Sequence, residues 1–249
     1  MAKITKRLDA FLVEKGFFET RNLAQSAIME GRVLVNDRKI EKAGFSVYES
    51  SDIRIIGDDP PFVSRGGLKL QAAIENFGID VTEKICLDIG ASTGGFTDCL
   101  LQNWASKVVA LDVGRGLIHN KLRQDHRVEL REGINARYID ENEFDFQFDL
   151  MTIDVSFISQ KMIFPVLKPH LKIGGIIIAL IKPQFEAGKE NVGKGGIVRD
   201  KAVRAKVVDE IIDAYMQAGF EIIGTMESPI KGMDGNVEYL IAVRNNRTE

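Results

Sequence analysis

The stretch Lys84-Ile-Cys-Leu-Asp-Ile-Gly-Ala-Ser-Thr-Gly-Gly-Phe-Thr-Asp-Cys-Leu-Leu101 decides the fold of the larger part of this chain. An apolar run ends at Asp88, a turn containing Gly90, Gly94 and Gly95 follows, and an amphipathic segment comes next. This order predicts a strand, a tight loop and the start of a helix, which is how many folds bind nucleotide-like cofactors. Glycines suit such a loop because they turn sharply and let a ligand approach the main chain.

The spacing of the glycines narrows the choice of cofactor. Gly-x-x-x-Gly-Gly differs from the Gly-x-Gly-x-x-Gly of dinucleotide binders, and no lysine follows as it does in a Walker loop. An acid before such a turn fits a cationic cofactor with a free amino group, such as S-adenosylmethionine. The motif alone is equally compatible with a glycine-rich turn that binds nothing. Asp112 favours the cofactor, because an acid about 20 residues past the glycines commonly binds ribose hydroxyls.

Apolar runs separated by turn residues predict a doubly wound sheet after residue 62. The predicted strands span residues 85–89, 107–111, 128–134, 148–153, 176–181, 221–227 and 237–244, and the longer predicted helices span 62–77, 96–103, 160–171 and 200–218. The last two strands flank a glycine-containing turn and are expected to pair antiparallel. The predicted fold class is therefore α/β, a mostly parallel Rossmann-like sheet whose last strand is antiparallel.

Composition limits the possible environments and partners. The 249 residues are 45% hydrophobic and carry a net charge of −3, so any nucleic-acid contact must come from a local basic face. The two cysteines form no disulfide framework, and the three histidines have no metal-ligand spacing, so no metal site is expected. The sequence shows no apolar signal region and no run of ~20 apolar residues. We therefore expect a cytoplasmic protein with no stable membrane insertion.

Residues 1–57 are predicted to form a small α+β unit. The stretch from Thr20 to Asn36, with Thr20-Arg21, Ala24, Ile28 and then Gly31-Arg-Val-Leu-Val-Asn36, resembles the S4-type RNA-binding domain. The residues that this resemblance implies for RNA binding are Arg21, Arg32, Arg38 and Lys39, with Lys6 and Arg7 beside them. An ordinary mixed-charge surface is the alternative, since residues 1–60 hold ten basic and ten acidic side chains.

Asp58-Asp-Pro-Pro61 is predicted to be a linker, because two consecutive prolines interrupt both helices and sheets. The expected domains are residues 1–57, the linker 58–61, and residues 62–249.

Charged residues follow several predicted strands of the second domain, at the edge where doubly wound sheets bind ligands. They are Asp88, near the end of its strand before the glycine loop, then Asp112, Asp154 and Lys182 just after theirs, and Glu238 after the last turn. Lys182 and Asp154 follow apolar strands directly, so they suit the positioning and proton transfer that methylation of a hydroxyl requires. Local sequence alone favours a surface role for Lys69, near a helix start.

Five ordered motifs resemble the TlyA family of hemolysins or ribosomal RNA 2′-O-methyltransferases. They are Ser64-Arg-Gly-Gly-Leu-Lys69, Asp88-Ile-Gly-Ala-Ser-Thr-Gly-Gly-Phe-Thr97, Ile153-Asp-Val-Ser-Phe-Ile158, Lys182-Pro-Gln-Phe-Glu186 and Val192-Gly-Lys-Gly-Gly-Ile-Val-Arg-Asp200. The resemblance implies an FtsJ-like class I methyltransferase domain that modifies the ribose of a cytidine in ribosomal RNA, with RNA or ribosomal subunits as partners.

The same resemblance assigns the site residues. The implied catalytic tetrad is Lys69, Asp154, Lys182 and Glu238. The residues expected to bind S-adenosylmethionine are Asp88, Gly90, Ser92, Gly94, Gly95, Asp112, Asn135 and Asp154. Two other functions remain as alternatives: an RNA-binding ribosome-assembly factor with little turnover, and a hemolysin whose membrane effect is indirect.

Overall fold

The structure is a computed structural model that describes residues 5–18, 20–29, 31–56, 61–232 and 235–246. The chain divides into two compact units, residues 1–60 and 61–249. Most of the predicted linker, residues 58–60, lies outside the described residues.

The N-terminal unit packs two helices against short strands. Its elements are β1 (Thr5–Arg7), α1 (Leu8–Glu14), α2 (Arg21–Met29), β2 (Val33–Val35), β3 (Arg38–Lys39), β4 (Ser46–Tyr48) and β5 (Ile53–Ile55). β1 pairs with β4, and β2 pairs with both β3 and β5, all antiparallel. Asn36 and Asp37 turn β2 into β3 with positive φ angles, the geometry of a two-residue hairpin. Apolar residues from both helices and from β2 and β4 form one core.

The second unit contains a seven-stranded sheet. Its strands are β6 (Ile85–Ile89), β7 (Lys107–Asp112), β8 (Val128–Glu132), β9 (Phe148–Ile153), β10 (Leu171–Ile181), β11 (Phe220–Glu227) and β12 (Tyr239–Asn245). Their order is β11-β12-β10-β9-β6-β7-β8, and β12 alone runs against its neighbours. This topology confirms the predicted fold class.

Helices cover both faces of the sheet. They are α3 (Gly66–Phe77), α4 (Gly95–Gln102), α5 (Asn120–Arg123), α6 (Phe164–Leu167), α7 (Pro183–Glu186) and α8 (Lys201–Gln217). Successive strand residues point to opposite faces, so Leu87 and Ile89 join a cluster with α6 and α8, whereas Cys86 joins a cluster with α3 and α4. Asp200 caps α8, because its carboxylate accepts a hydrogen bond from Ala202 N at the start of the helix.

The single helix predicted over residues 160–171 is wrong. The segment is instead broken into two short 3₁₀ turns around α6. Pro165 and Pro169 explain the break, because neither can donate the backbone hydrogen bond that a continuous helix needs. β10 begins at Leu171, five residues before the predicted start at residue 176, and therefore includes Gly174 and Gly175. These glycines lie inside β10 at a shift in its register against β9.

Candidate active site

A cavity of ≈ 490 Å³ opens at the carboxyl ends of β6, β7 and β9. Its walls are mostly apolar, and its polar groups come from the loops that follow these strands. The lining residues relevant here are Gly90, Ser92, Asp112, Ile134, Asn135, Asp154, Ser156, Phe157 and Ile163. The size and the mixed lining are those of a small-molecule or cofactor site.

Asp112 is held rigidly at the rim of this cavity. Its Oδ1 accepts a hydrogen bond from Gly114 N and its Oδ2 accepts one from Ser92 N, both at 2.7 Å. A carboxylate oxygen has two lone pairs, so each oxygen can still accept from a ribose hydroxyl. Asn135 stands nearby, and its side chain accepts from Arg137 N at 3.1 Å. The position and chemistry of both residues fit the ribose end of a nucleoside.

The three glycines of the loop after β6 have different structural roles. Gly90 lines the cavity with φ +83°, and a Cβ there would overlap with the carbonyl oxygen of Asp154. Neither Gly94 nor Gly95 is among the described residues that line the cavity. A Cβ at Gly94 would meet the side chain of Leu122, and one at Gly95 would meet Ser64 on the approach to α3. These two glycines therefore permit close packing around the loop.

Asp88 is fully buried beneath the loop and does not line the cavity. Its oxygens accept hydrogen bonds from the hydroxyls of Thr97, at 2.7 Å, and Thr152, at 2.8 Å. Burial raises the pKa of Asp88 to about 6, although these two hydrogen bonds act to lower it. In this structure Asp88 supports the loop from below. The sequence resemblance had instead predicted that Asp88 contacts the cofactor.

The first of two ion pairs borders the cavity. Lys182, which directly follows β10, places its Nζ 2.5 Å from Oδ1 of Asp154 and donates a hydrogen bond of 2.9 Å to the hydroxyl of Ser156. Asp154 directly follows β9, which lies beside β10 in the sheet. The parallel pairing of these strands brings the two side chains together at one edge.

The second ion pair is almost completely buried. Nζ of Lys69 on α3 lies 2.6 Å from Oε2 of Glu238, which precedes β12. Lys69 is 8% exposed, so the surface role that local sequence favoured is wrong. Gln184, which lies two residues after Lys182 in the chain, donates a 3.4 Å hydrogen bond to Oε1 of Glu238.

Sequence reasoning missed the residues that hold the site together. Ser156 and Gln184 contact members of the two ion pairs, and Glu186 accepts hydrogen bonds from the Ser159 hydroxyl, at 2.5 Å, and from Gln160 N, at 2.9 Å. Burial raises the pKa of Glu186. The only sequence signal was their position inside the quoted motifs, next to the charged residues.

Phe157 is the single aromatic residue among the described residues that line the cavity, and it is 91% exposed. It has a φ of +64°, a conformation that costs a residue with a Cβ about 1–2 kcal/mol. Its ring packs against that of Phe185 with centroids 5.0 Å apart. The structure thus presents a large apolar ring at the mouth of the cavity and holds it there against backbone strain.

Comparison with protein families identifies both units. The FtsJ-like methyltransferase family matches residues 62–245, and the S4 domain matches residues 6–53. The chain belongs to the FtsJ-like methyltransferase family. Its sheet order and the cavity at the strand ends are accordingly those of a methyltransferase domain preceded by an S4 domain.

Relatives of this FtsJ-like methyltransferase carry two kinds of name. The 16S/23S rRNA (cytidine-2′-O)-methyltransferase TlyA of Mycobacterium tuberculosis is 39% identical over 96% of this chain and 89% of its own length. Hemolysin A of Brachyspira hyodysenteriae is 43% identical over 94% of this chain and 98% of its own length. A solved structure titled as a hemolysin from Streptococcus thermophilus is 40% identical with a TM-score of 0.78, covering 99% of this chain and 90% of that one.

In the S4 domain, most of the basic residues named from the sequence are paired with acids. Arg7 and Arg21 each place an NH2 group 2.9 Å from the buried carboxylate of Asp9. The hydrogen bond from Arg7 is the largest influence that lowers the pKa of Asp9. Lys6 contacts Glu14, and Lys39 contacts Glu41 at 3.3 Å.

Arg38 differs from these residues. Among the residues that the structure describes, it contacts no carboxylate. Arg32 is half-buried. Of the six basic residues named from the sequence, Lys6, Arg7, Arg21 and Lys39 contact acids, whereas Arg38 is exposed and contacts no acid among the described residues.

Proposed function

We propose that this protein transfers a methyl group from S-adenosylmethionine to the 2′-hydroxyl of a cytidine in ribosomal RNA, with the S4 domain binding the RNA. The observation that carries the proposal is the pair of lysine–carboxylate contacts, Lys182–Asp154 and Lys69–Glu238, beside a cavity suited to a nucleoside cofactor. The names of the rRNA-modifying relatives support the choice of substrate. A ribosomal substrate places the protein in the cytoplasm.

The cavity fits S-adenosylmethionine on the properties of its own residues. Asp112 and Asn135 offer acceptors for the ribose hydroxyls, and Ile134 and Ile163 offer apolar surface for the adenine. The absence of a side chain at Gly90 lets the main chain of Asp154 pack against the end of β6, where both residues line the cavity. When bound, S-adenosylmethionine supplies an electrophilic methyl group on a sulfonium.

The charged residues can position and deprotonate the acceptor. Lys182 lies between the carboxylate of Asp154 and the hydroxyl of Ser156, so its Nζ is fixed in direction. From there it can hold the 2′-oxygen in line with the methyl group and accept or guide the departing proton. Asp154 balances the charge of Lys182. Lys69 and Glu238 form a second, buried pair. In this proposal the Lys69 ammonium stabilises the negative charge that develops on the 2′-oxygen.

The decisive experiment compares a lysine near the start of β10 with the lysine that directly follows its end. Lys182→Met removes the ion pair just beyond the carboxyl end of β10, whereas Lys172→Met removes a 2.7 Å pair with Asp149 at the other end. Labelled methyl groups would be followed from S-adenosylmethionine to separated ribosomal subunits and to naked ribosomal RNA. We expect Lys182→Met to lower the rate at least ~10²-fold and Lys172→Met to leave it near the wild-type value.

The position of the label tests the acceptor. A methyl group on the 2′-oxygen makes the adjoining linkage resistant to alkaline cleavage, because that cleavage needs a free 2′-hydroxyl. Label in alkali-sensitive nucleotides, or a wild-type rate for Lys182→Met, would contradict the proposal. Binding of S-adenosylmethionine without transfer to any subunit would favour an assembly factor with little turnover.

The hemolysin name of some relatives does not lead to a second proposal. None of the helices in the described part of the chain has the length and hydrophobicity that a membrane-spanning helix needs.

A further inference from the structure

The S4 domain contains a second cavity, of ≈ 330 Å³, that none of the motifs above explains. It lies beside the β2–β3 hairpin and β4. The described residues that line it are Val35, Asn36, Arg38, Ile40, Phe45, Ser46, Tyr48 and Ser51. We propose that this cavity binds one unpaired nucleotide of RNA, with the base against the aromatic rings and the phosphate on Arg38. This inference rests on the proposed function, in which the S4 domain binds RNA.

The apolar part of the cavity suits a flat ring. Phe45 is 38% exposed and Tyr48 is 44% exposed, although both are large aromatic residues. Val35 and Ile40, which are largely buried, complete this wall. Unpaired bases of RNA stack on aromatic side chains of this kind, and paired bases inside a duplex cannot reach them.

The polar groups of the cavity are mostly donors. Asn36 uses its Oδ1 to accept a 2.9 Å hydrogen bond from Asp52 N, so its amide protons remain as donors. Ser51 accepts a 3.0 Å hydrogen bond from Tyr48 N and keeps its hydroxyl proton. None of the described lining residues is acidic. A ring with several acceptor atoms, such as a nucleobase, matches these donors.

The charge in the cavity indicates an anionic ligand. Arg38 lines the cavity and contacts no carboxylate among the described residues, while Arg7, Arg21 and Lys39 of the same domain are paired with acids. A guanidinium without an acidic partner is suited to bidentate binding of phosphate. The aromatic surface and the hydrogen-bond donors match a nucleobase, and the available cation matches a phosphate. One cavity that holds all three is suited to a nucleotide.

The test uses the full-length protein and two labelled RNAs, a ten-nucleotide single strand of mixed sequence and a blunt-ended duplex. Binding would be followed by fluorescence anisotropy at several salt concentrations. Tyr48→Ala is expected to weaken single-strand binding about 5- to 100-fold, and Tyr48→Phe, which keeps the ring, to restore it to within about 2-fold of wild type. Affinity for the duplex is expected to change little in either variant.

A matched pair of arginines tests the phosphate contact. Arg38→Gln is expected to reduce the dependence of log K on log salt by about 0.7 for the single strand. Arg54→Gln removes an equally exposed arginine that lies on β5, outside the lining, and already contacts Asp37. We expect it to leave the slope at the wild-type value.

Several outcomes would overturn the inference. They are wild-type affinity of Tyr48→Ala for the single strand, an equal loss of affinity for the duplex, and an equal change of slope in Arg38→Gln and Arg54→Gln. Free cytidine monophosphate tests the source of the ligand. If it competes at well below millimolar concentration, the cavity is a mononucleotide site and the assignment to RNA is wrong.

Methyl transfer by the wild-type protein separates this inference from the proposed function. If no ribosomal RNA is methylated but Tyr48→Ala and Arg38→Gln show the expected binding defects, 2′-O-methylation fails and the nucleotide cavity stands. If the wild type methylates and these variants bind the single strand like the wild type, the cavity fails and the proposed function stands.

Discussion

Replacement of the buried acid Asp88 should change how the stability of the catalytic domain depends on pH. Burial raises the pKa of Asp88 to about 6 from an ordinary value of 3.8, against the hydrogen bonds from Thr97 and Thr152. The folded state therefore binds a proton more tightly than the unfolded state does. The free energy of unfolding should fall as pH rises from about 4 to about 6 and stay level above that.

The size of the effect follows from the shift in pKa. About two pKa units at 1.36 kcal/mol each amount to ~3 kcal/mol of lost stability, an upper figure for this one group. Asp88→Asn removes the charge and keeps the shape. Its carbonyl oxygen can accept from one threonine hydroxyl, and its amide can donate to the other. We expect the variant to gain up to ~3 kcal/mol relative to wild type between pH 4 and pH 8.

The assay is denaturant unfolding of wild type and variant at several pH values, followed by far-UV circular dichroism. Trp104, the single tryptophan of the chain, adds a fluorescence signal from the second unit. Asp209→Asn, which neutralises an exposed carboxylate on α8, is the control and should show no such trend. A constant difference between Asp88→Asn and wild type across this pH range would refute the reasoning.

Three further predictions concern the cavity. Gly90→Ala should lower the free energy of unfolding of the domain by at least ~2 kcal/mol, measured by thermal or chemical unfolding. The new Cβ would overlap with the Asp154 carbonyl, and Gly90 has a positive φ. Unchanged stability would show that the backbone can relax. Asp112→Ala should weaken binding of S-adenosylmethionine, measured by calorimetry, about tenfold or more through lost ribose hydrogen bonds, and an unchanged Kd would contradict this placement. Phe157→Ala should leave the free energy of unfolding within about 1 kcal/mol of wild type and the cofactor Kd unchanged, while kcat/KM for RNA falls. Equal kcat/KM values for variant and wild type would mean that the exposed ring does not contact the substrate.

The fold could be predicted from the sequence because central parallel strands are apolar on both faces. β6 and β9 have the predicted limits for this reason, and Asp154, directly after β9, marks the carboxyl edge of the sheet. The broken segment around α6 was missed because the apolar spacing of a helix was given more weight than Pro165 and Pro169. Both prolines were visible, and each removes a hydrogen-bond donor.

The site was only partly predictable, because its key contacts join distant parts of the chain. Asp154 and Lys182 could be placed together from the sheet alone. Lys69 and Glu238 are 169 residues apart, and no local pattern shows that one is buried against the other. Likewise, nothing near Arg21 in the sequence reveals that it contacts the buried carboxylate of Asp9, 12 residues earlier. The position of Asp88 beneath the loop also depends on side chains from α4 and β9.

Lys69 lies on α3, which precedes the first strand of the sheet in the chain, and this position limits how far the protein can be shortened. A fragment that began at residue 80 would retain all seven strands and the cavity lining, and a sheet diagram would show it as complete. It would nevertheless lack α3, whose Leu70, Ala73 and Ile74 are buried in the core of the domain and whose Lys69 pairs with Glu238. Truncating even one buried leucine to alanine costs about 2–5 kcal/mol, a large part of the stability of a domain. The smallest autonomous catalytic fragment therefore has to begin ahead of α3, well before the first strand of its sheet.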